Sequence, residues 1–205
     1  AERARGARPV MRTSRVTHLD VEAGTMAIDF VVHGDDGVAG PWARTVRPGE
    51  TISVRGPGGA YAPATNADWH LFVGDEAAIP AIRQGLAALA PTACGAVLVQ
   101  VDGPAYEQVL RGPEGVEFTW LHRSDPAHPG LGEAVKALSW RDGRVHAFVH
   151  GEGQSVMKEI RPYLLGERGV PRADLSISGY WRRGRTEEAF REWKSELARA
   201  EKGAS

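Results

Sequence analysis

The sequence predicts two structural regimes in series: a β-rich first third, then an α/β remainder. Residues 9–63 are short runs of strand formers broken by glycine and proline turns. After Pro63, Ala64–Ala67 has linker composition. From Trp69 onward, apolar strand-like runs alternate with segments whose apolar residues recur three and four apart. That alternation is the signature of a parallel sheet with helical crossovers.

In the first part, Val21–Thr25 reads as a turn and Met26–His33 as a strand. Asp35–Gly37 turns the chain, and Val38–Val46 is a short piece open to a helical reading. Arg47-Pro48-Gly49 is another turn, and Thr51–Val54 a further strand closed by Arg55–Gly59. Short strands with this punctuation suit a barrel or a small sheet. In the second part, strands are expected at Trp69–Val73, Ala96–Val101, Val116–Leu121, Arg144–His150 and Asp174–Ser178. Helices are expected at Ala77–Ala90, where Ile79, Ile82, Leu86 and Leu89 line one face, at Leu131–Leu138 and at Ser155–Leu165. Ser155 is placed to cap the last of these, and Pro162 to kink or end it. Thr186–Lys202 is an amphipathic helix whose stripe (Ala189, Phe190, Trp193, Leu197, Ala200) has the spacing of a packing face.

Bulk properties exclude several function classes. A net charge of -1 over 205 residues lacks the basic excess of a general nucleic-acid binder, so no nucleic-acid partner is expected. The lone cysteine, Cys94, forms no intramolecular disulfide and no thiolate cluster, and reads as a small buried residue. Seven histidines show no metal-ligand spacing, so no metal site is expected. No apolar run suits a bilayer span and the first residues lack a signal-peptide core, so no membrane insertion and a cytoplasmic location are expected. There is no GxSxG, HExxH or P-loop.

Three segments are placed to hold a ligand. His33–Ala43 is rich in small residues and would let backbone N–H groups approach a phosphate; alone it reads equally as an ordinary strand–turn–helix link. Gly74–Ile82 follows a strand and opens a helix, where a dinucleotide binds in open α/β sheets, although Asp75 and Glu76 also read as simple helix caps. Gly179–Arg185 follows the last strand and sets three arginines beside Tyr180 and Trp181, suiting an anionic aromatic ligand or a solvated basic turn.

Taken together and in order, six stretches resemble the siderophore-interacting proteins, flavin-dependent ferric-siderophore reductases. They are ARPVMRT (7–13), IDFVVHGDDGVAGPWA (28–43), VRGPGGAY (54–61), WHLFVGDEAAIPAI (69–82), HGEGQSVMKEIRPYL (150–164) and GYWRRGRTEEAFREWK (179–194). The resemblance implies an α+β two-domain fold like that of ferredoxin reductase. An antiparallel flavin-binding β-barrel, partial here, would occupy 1–64, and an α/β nucleotide-binding domain ending in the helix at 186–202 would occupy 65–205. It implies non-covalent FAD, NADPH or NADH as donor, and a ferric siderophore as substrate that releases iron(II). Catalysis would rest on cofactor placement, with no catalytic acid or base. By position, His33, Gly34, Gly37, Ala39, Gly40, Trp42 and Ala43 would hold FAD, with Arg12 and Ser14 in the flavin motif. Gly74, Asp75, Glu76 and Ala78 would face the nicotinamide nucleotide, with Gly151 and Glu152 nearby, and Tyr180, Trp181 and Arg182 would close the site.

The family's flavin motif reads Arg-x-Tyr-Thr-x-Arg, whereas this sequence has Arg12-Thr13-Ser14-Arg15-Val16-Thr17. Ser14 stands where an aromatic ring would meet the flavin, a loss of ~1–3 kcal/mol by analogy with base stacking. Only about a dozen residues precede the motif, where the family has several more strands, so weakened FAD binding is expected. His150 also stands where alanine is commoner. Two alternatives follow: a general ferric or flavin reductase, and a non-catalytic remnant that binds nucleotide or siderophore only.

Overall fold

The computed structural model describes residues 10, 12, 14–30, 32, 38–55 and 61–184. The chain forms two compact units, Ala1–Pro57 and Gly58–Ser205, which divide ahead of the boundary expected at 64. The helix expected at 186–202 lies outside the described residues.

In the first unit, β1 (Arg15–Asp20) and β2 (Thr25–Asp29) form a two-stranded antiparallel sheet. The turn between them closes because Asp20 Oδ1 accepts from Ala23 N at 2.9 Å and Gly24 takes a positive φ of 64°. The segment Val38–Val46 resolves as a helix, α1 (Ala39–Thr45). The barrel expected over 1–64 is not shown: among the described residues this unit has one two-stranded sheet. Thr51–Val54 has strand composition but is exposed and enters no sheet among the described residues, since composition alone supplies no ladder partner.

The second unit is a three-layer α/β domain. Its parallel sheet consists of β3 (Trp69–Asp75), β4 (Cys94–Val101), β5 (Gly115–His122), β6 (Val145–Glu152) and β7 (Leu175–Trp181). The order is β5-β4-β3-β6-β7, so the chain starts at the centre, winds outward to β5, and returns to the other side of β3. The inner strands β3, β4 and β6 carry apolar runs because both sheet faces are covered there, whereas the edge strand β5 alternates and is largely exposed. On one face, α2 (Ile79–Ala87) packs Ile79, Ile82 and Leu86 against Phe72, Val97, Val99 and Phe148. On the other, α3 (Leu131–Ala137) and the helix after β6 set Leu131, Val135, Val156, Ile160 and Leu164 on Trp69, Leu71, Val73 and Val149.

The helix after β6 departs from expectation twice. Ser155 makes no N-terminal cap, and Pro162 does not end the helix. Instead the chain widens to π-type hydrogen bonding over Ser155–Ile160 and Tyr163–Glu167. A proline removes one backbone donor, and a wider turn relieves the clash of its ring.

Tyr61, expected in the first domain, belongs to the second unit: it packs on the α2 face and stacks on His146 at 5.4 Å. His146 Nδ1 accepts from Ala64 N at 3.3 Å. Burial holds both His146 and the neighbouring His70 below the usual imidazole range, so the pair is neutral inside the sheet layer. Among the described residues no helix is long and apolar enough to cross a membrane.

At the N-terminal edge of the sheet, Arg144 donates to both carboxylate oxygens of Asp174, at 2.9 and 2.6 Å, and its backbone N–H reaches Asp68 Oδ2 at 2.6 Å. This joins the starts of β3, β6 and β7.

Two outcomes follow from this architecture. Phe72→Ala, at a fully buried site between Tyr61 and Phe148, is expected to cost about 3–5 kcal/mol in urea unfolding. The Arg144 hydrogen bonds hold the Asp174 carboxyl below its ordinary 3.8, so its contribution is present above that pH and lost as pH falls through the lower folded value. Urea midpoints measured against pH should therefore fall below 3.8 in the wild type. Arg144→Met should be less stable at neutral pH and show a shallower acid limb.

Candidate functional site: the groove at the sheet's switch point

The strand order reverses between β3 and β6, and in open parallel sheets ligands bind beyond the carboxyl ends of strands at such a point. A groove of about 520 Å³ opens there, lined by Asp75, Gln100, Arg123, Gly130, Leu131, Glu152, Gln154, Ser155, Trp181, Arg182 and Arg183.

Asp75, the last residue of β3, is 1% exposed. Its Oδ1 accepts from Ala77 N at 3.0 Å, which starts the 3-10 turn leading into α2. Its Oδ2 accepts from Glu152 N at 2.7 Å and from Trp181 Nε1 at 2.8 Å. One carboxylate thus ties the ends of β3, β6 and β7. Burial pushes its pKa up to about 6; the Trp181 hydrogen bond pulls it down, Glu76 pushes it up, and the two backbone N–H groups pull it down. Because the folded protein holds this proton more tightly than the unfolded chain, Asp75 costs stability as pH rises from 3.8 towards 6.

Glu152, the last residue of β6, turns its carboxylate onto the start of the next helix. Oε2 accepts from Gln154 N at 2.6 Å and Ser155 N at 3.0 Å, and Oε1 from Arg183 N at 3.3 Å. Glu152 therefore provides the cap that the sequence suggested for Ser155, and it does so from outside the helix.

The residues expected around the nucleotide separate into groove and core. Asp75, Glu152, Trp181 and Arg182 line the groove. Glu76 pairs with Arg123 from the end of β5. Gly151 lies against Asp75, where a Cβ would come 2.7 Å from Oδ2. Gly74 leaves room for protein rather than ligand: a Cβ there would meet Ala78 Cβ at 2.5 Å and the His150 carbonyl at 2.7 Å. Ala78 is fully buried in the core, not in the groove. Tyr180 is the extra residue at the irregularity where β7 shifts register against β6; it packs on the α2 face and on His150 at 4.7 Å, while Trp181 reaches Asp75. His150 itself stacks on Phe148 at 4.1 Å and meets Ser176 Oγ at 2.9 Å, so it serves the core.

In the first unit, Ala39, Gly40, Trp42 and Ala43 lie on α1, and Trp42 packs edge-on against Phe30 at 5.7 Å. Arg12 and Ser14 precede β1, and Ser14 is exposed. His33, Gly34 and Gly37 lie outside the described residues.

Sequence reasoning missed Gln100, Arg123, Gly130, Leu131, Gln154 and Ser155 as groove residues, whereas Arg183 lies in the Gly179–Arg185 segment it placed at a ligand. Gln100 carried a usable signal, being a polar side chain at the carboxyl end of an apolar strand. Arg123 and Gly130 carried none, since only the strand order brings them there.

Chemically the groove offers guanidinium groups, an indole and amide groups around a buried carboxylate. That set suits an anionic aromatic ligand. Among the described residues no group of acids, histidines and cysteines could hold a metal ion.

Comparison with known proteins identifies the family. The siderophore-interacting protein family matches residues 67–184, and the siderophore-interacting FAD-binding domain matches residues 1–61. The chain belongs to the siderophore-interacting protein family. An uncharacterized protein of Mycobacterium tuberculosis is 51% identical over 96% of this chain and 73% of its own length. Ferric vibriobactin reductase ViuB of Vibrio cholerae is 35% identical over 90% of this chain and 69% of its own. Among solved structures, a siderophore utilization protein from T. fusca aligns with a TM-score of 0.75 at 40% identity, covering 90% of this chain and 70% of that one.

Glu152→Ala removes the acceptor for two helix N–H groups and should lower stability by about 0.5–2 kcal/mol. Glu152→Gln keeps an acceptor and should lose less; thermal unfolding of the two variants checks this.

Proposed function

We propose that this chain acts in ferric-siderophore reduction, taking electrons from NADPH or NADH through FAD to a ferric siderophore and so releasing iron(II). The observation that carries the reading is the groove at the switch point, rimmed by Arg123, Arg182 and Arg183 with Trp181 in its wall, in a chain of this family. The likeness to a protein named as a ferric reductase supports the same chemistry.

The nicotinamide nucleotide fits the groove as follows. The Glu152 carboxylate already occupies the helix N–H groups, so the phosphates go to the arginine side. The Trp181 indole offers an apolar face to a ring, and Gln100 and Ser155 offer hydrogen bonds. FAD, when bound, supplies the electron-transfer chemistry. The start of α1 suits its phosphates: it has no acidic residue in its first turn and no side-chain cap at Val38, so the backbone N–H groups of Ala39 and Gly40 suit an anionic ligand, and the resemblance adds Arg12, His33, Gly34 and Gly37 to the same role. Ser14 brings no ring to the flavin and is exposed, which favours a weak flavin hold and gives ground to a second reading, a nucleotide-binding chain without tightly held flavin.

No acid, base or nucleophile is assigned. The residues bind and orient, and the rate rests on that placement.

The chain incubated with FAD and freed of excess should show flavin absorbance that bleaches with NADPH or NADH under anaerobic conditions and returns on adding a ferric siderophore. Retention of nucleotide binding without flavin would select the second reading; loss of both would overturn the proposal. Replacing Arg182 and Arg183 together by alanine should weaken nucleotide binding about tenfold or more, since a charged hydrogen bond contributes roughly 1.5–3 kcal/mol.

A further inference from the structure

The same groove contains a side chain that lines it without offering an atom to a ligand. Asp75 is 1% exposed, and both carboxylate oxygens are taken by donors of this chain: Ala77 N, Glu152 N and Trp181 Nε1. An ionised acid withdrawn from water is costly unless donors replace its hydration. Here the donors come from the turn after β3, the end of β6 and the end of β7, and two of these belong to groove residues. The position of Trp181 is therefore set by Asp75, and so is the backbone from which Glu152 caps the next helix and accepts from Arg183 N.

We propose that Asp75 is a positioning residue of this site: it does not touch nucleotide, but fixes the Trp181 indole and the Glu152 backbone across the ends of three strands and acts on the ligand only through them. This rests on the nucleotide reading of the groove. The chemistry of the substitution is specific. Asparagine has the same shape, but its single oxygen cannot face both sides, so either orientation sets an NH2 group against an N–H donor. Protonation has a related effect, adding a donor where three N–H groups already point and weakening the bond from Trp181. The charged and titratable groups around this carboxylate are Glu76 on the turn, Glu152 at the end of β6, Arg182 and Arg183 after β7, Arg123 after β5, and His150, which stacks on the other sheet face.

The experiment has a spectroscopic arm and a binding arm on the full chain. The emission of Trp181, taken as the difference between wild type and Trp181→Phe, should change with pH about a midpoint near 6. In Asp75→Asn the same difference should be flat. A wild-type difference that is flat, or one that still titrates in Asp75→Asn because another group such as His150 is its source, overturns the proposal. Nucleotide dissociation constants for NADPH and NADH should rise roughly tenfold or more in Asp75→Asn, given the sensitivity of bound geometry to small displacements. An unchanged constant in a folded variant overturns the proposal. Where Asp75→Asn fails to fold, His150→Gln takes its place as the control: a Trp181 titration that persists in His150→Gln supports the proposal, and one lost there overturns it. Wild type that binds neither nucleotide sinks the nucleotide reading instead, while the emission arm still reports on the Asp75–Trp181 coupling.

Discussion

The second unit is organised around a buried negative charge. The Asp75 carboxylate is out of water and answered by N–H groups from three neighbouring segments. A strand end normally leaves backbone groups to solvent or to loops. Here the central strand ends in an acceptor that collects the first turn of α2, the last peptide of β6 and the indole of β7. The switch point between β3 and β6 is thereby closed at its floor and open at its rim, and a groove of this kind needs both. Gly151 has no side chain because the carboxylate already fills that space, so the small residue follows from the acid rather than from a ligand.

The opposite edge of the sheet solves the same problem differently. Asp174 meets a guanidinium with both oxygens, and Asp68 meets the Arg144 backbone. The charge at that edge is neutralised by a cation, so Asp174 is held below the ordinary aspartate range while Asp75 is pushed above it. Two aspartates near strand ends of one sheet are driven in opposite directions: Asp174 downward by a cation, and Asp75 upward by burial, which its N–H partners only partly offset. Between the two edges the inner strands β3, β4 and β6 are largely apolar, and the aromatic side chains of Phe72, Phe148, Tyr61 and Tyr180 fill the α2 side.

Much of this was legible in the sequence because the relevant signals are local. The strand–helix alternation after Trp69 gave all five strands of the parallel sheet to within a few residues, and the apolar spacing of Ile79, Ile82 and Leu86 gave α2. The resemblance brought together Asp75, Glu152, Trp181 and Arg182, which the structure places on one groove. What was not legible depends on which neighbour the tertiary fold supplies. Glu152 caps a helix that begins beyond it, taking the place expected for Ser155. Ala78 and Tyr180 sit in motifs read as ligand-facing, yet the turn after β3 buries Ala78 and the register shift of β7 turns Tyr180 onto the core. Thr51–Val54 has the composition of a strand without entering a sheet, and the expected barrel reduces to one hairpin among the described residues. Strand propensity measures fit to a half-buried sheet, and a segment without that sheet has nothing to fit.

The placement of Glu152 also decides how an anion is received. A helix N-terminus beside a groove ordinarily attracts phosphate through its free N–H groups. Here Gln154 N and Ser155 N are held by the chain's own carboxylate, and a phosphate arriving there would have to displace a charge of its own sign from hydrogen bonds already made. The remaining attraction lies after β7, at Arg182 and Arg183, since Arg123 after β5 is already paired with Glu76. Guanidinium groups bind phosphate oxygens with directed, paired hydrogen bonds, and they also stack on rings. Recognition by arginine side chains rather than by a helix end leaves the ligand's position dependent on the loop after β7. That loop is tethered through Arg183 N to Glu152, and the Glu152 backbone is tethered to Asp75. The geometry of the rim thus traces back, bond by bond, to the buried acid at the end of the central strand.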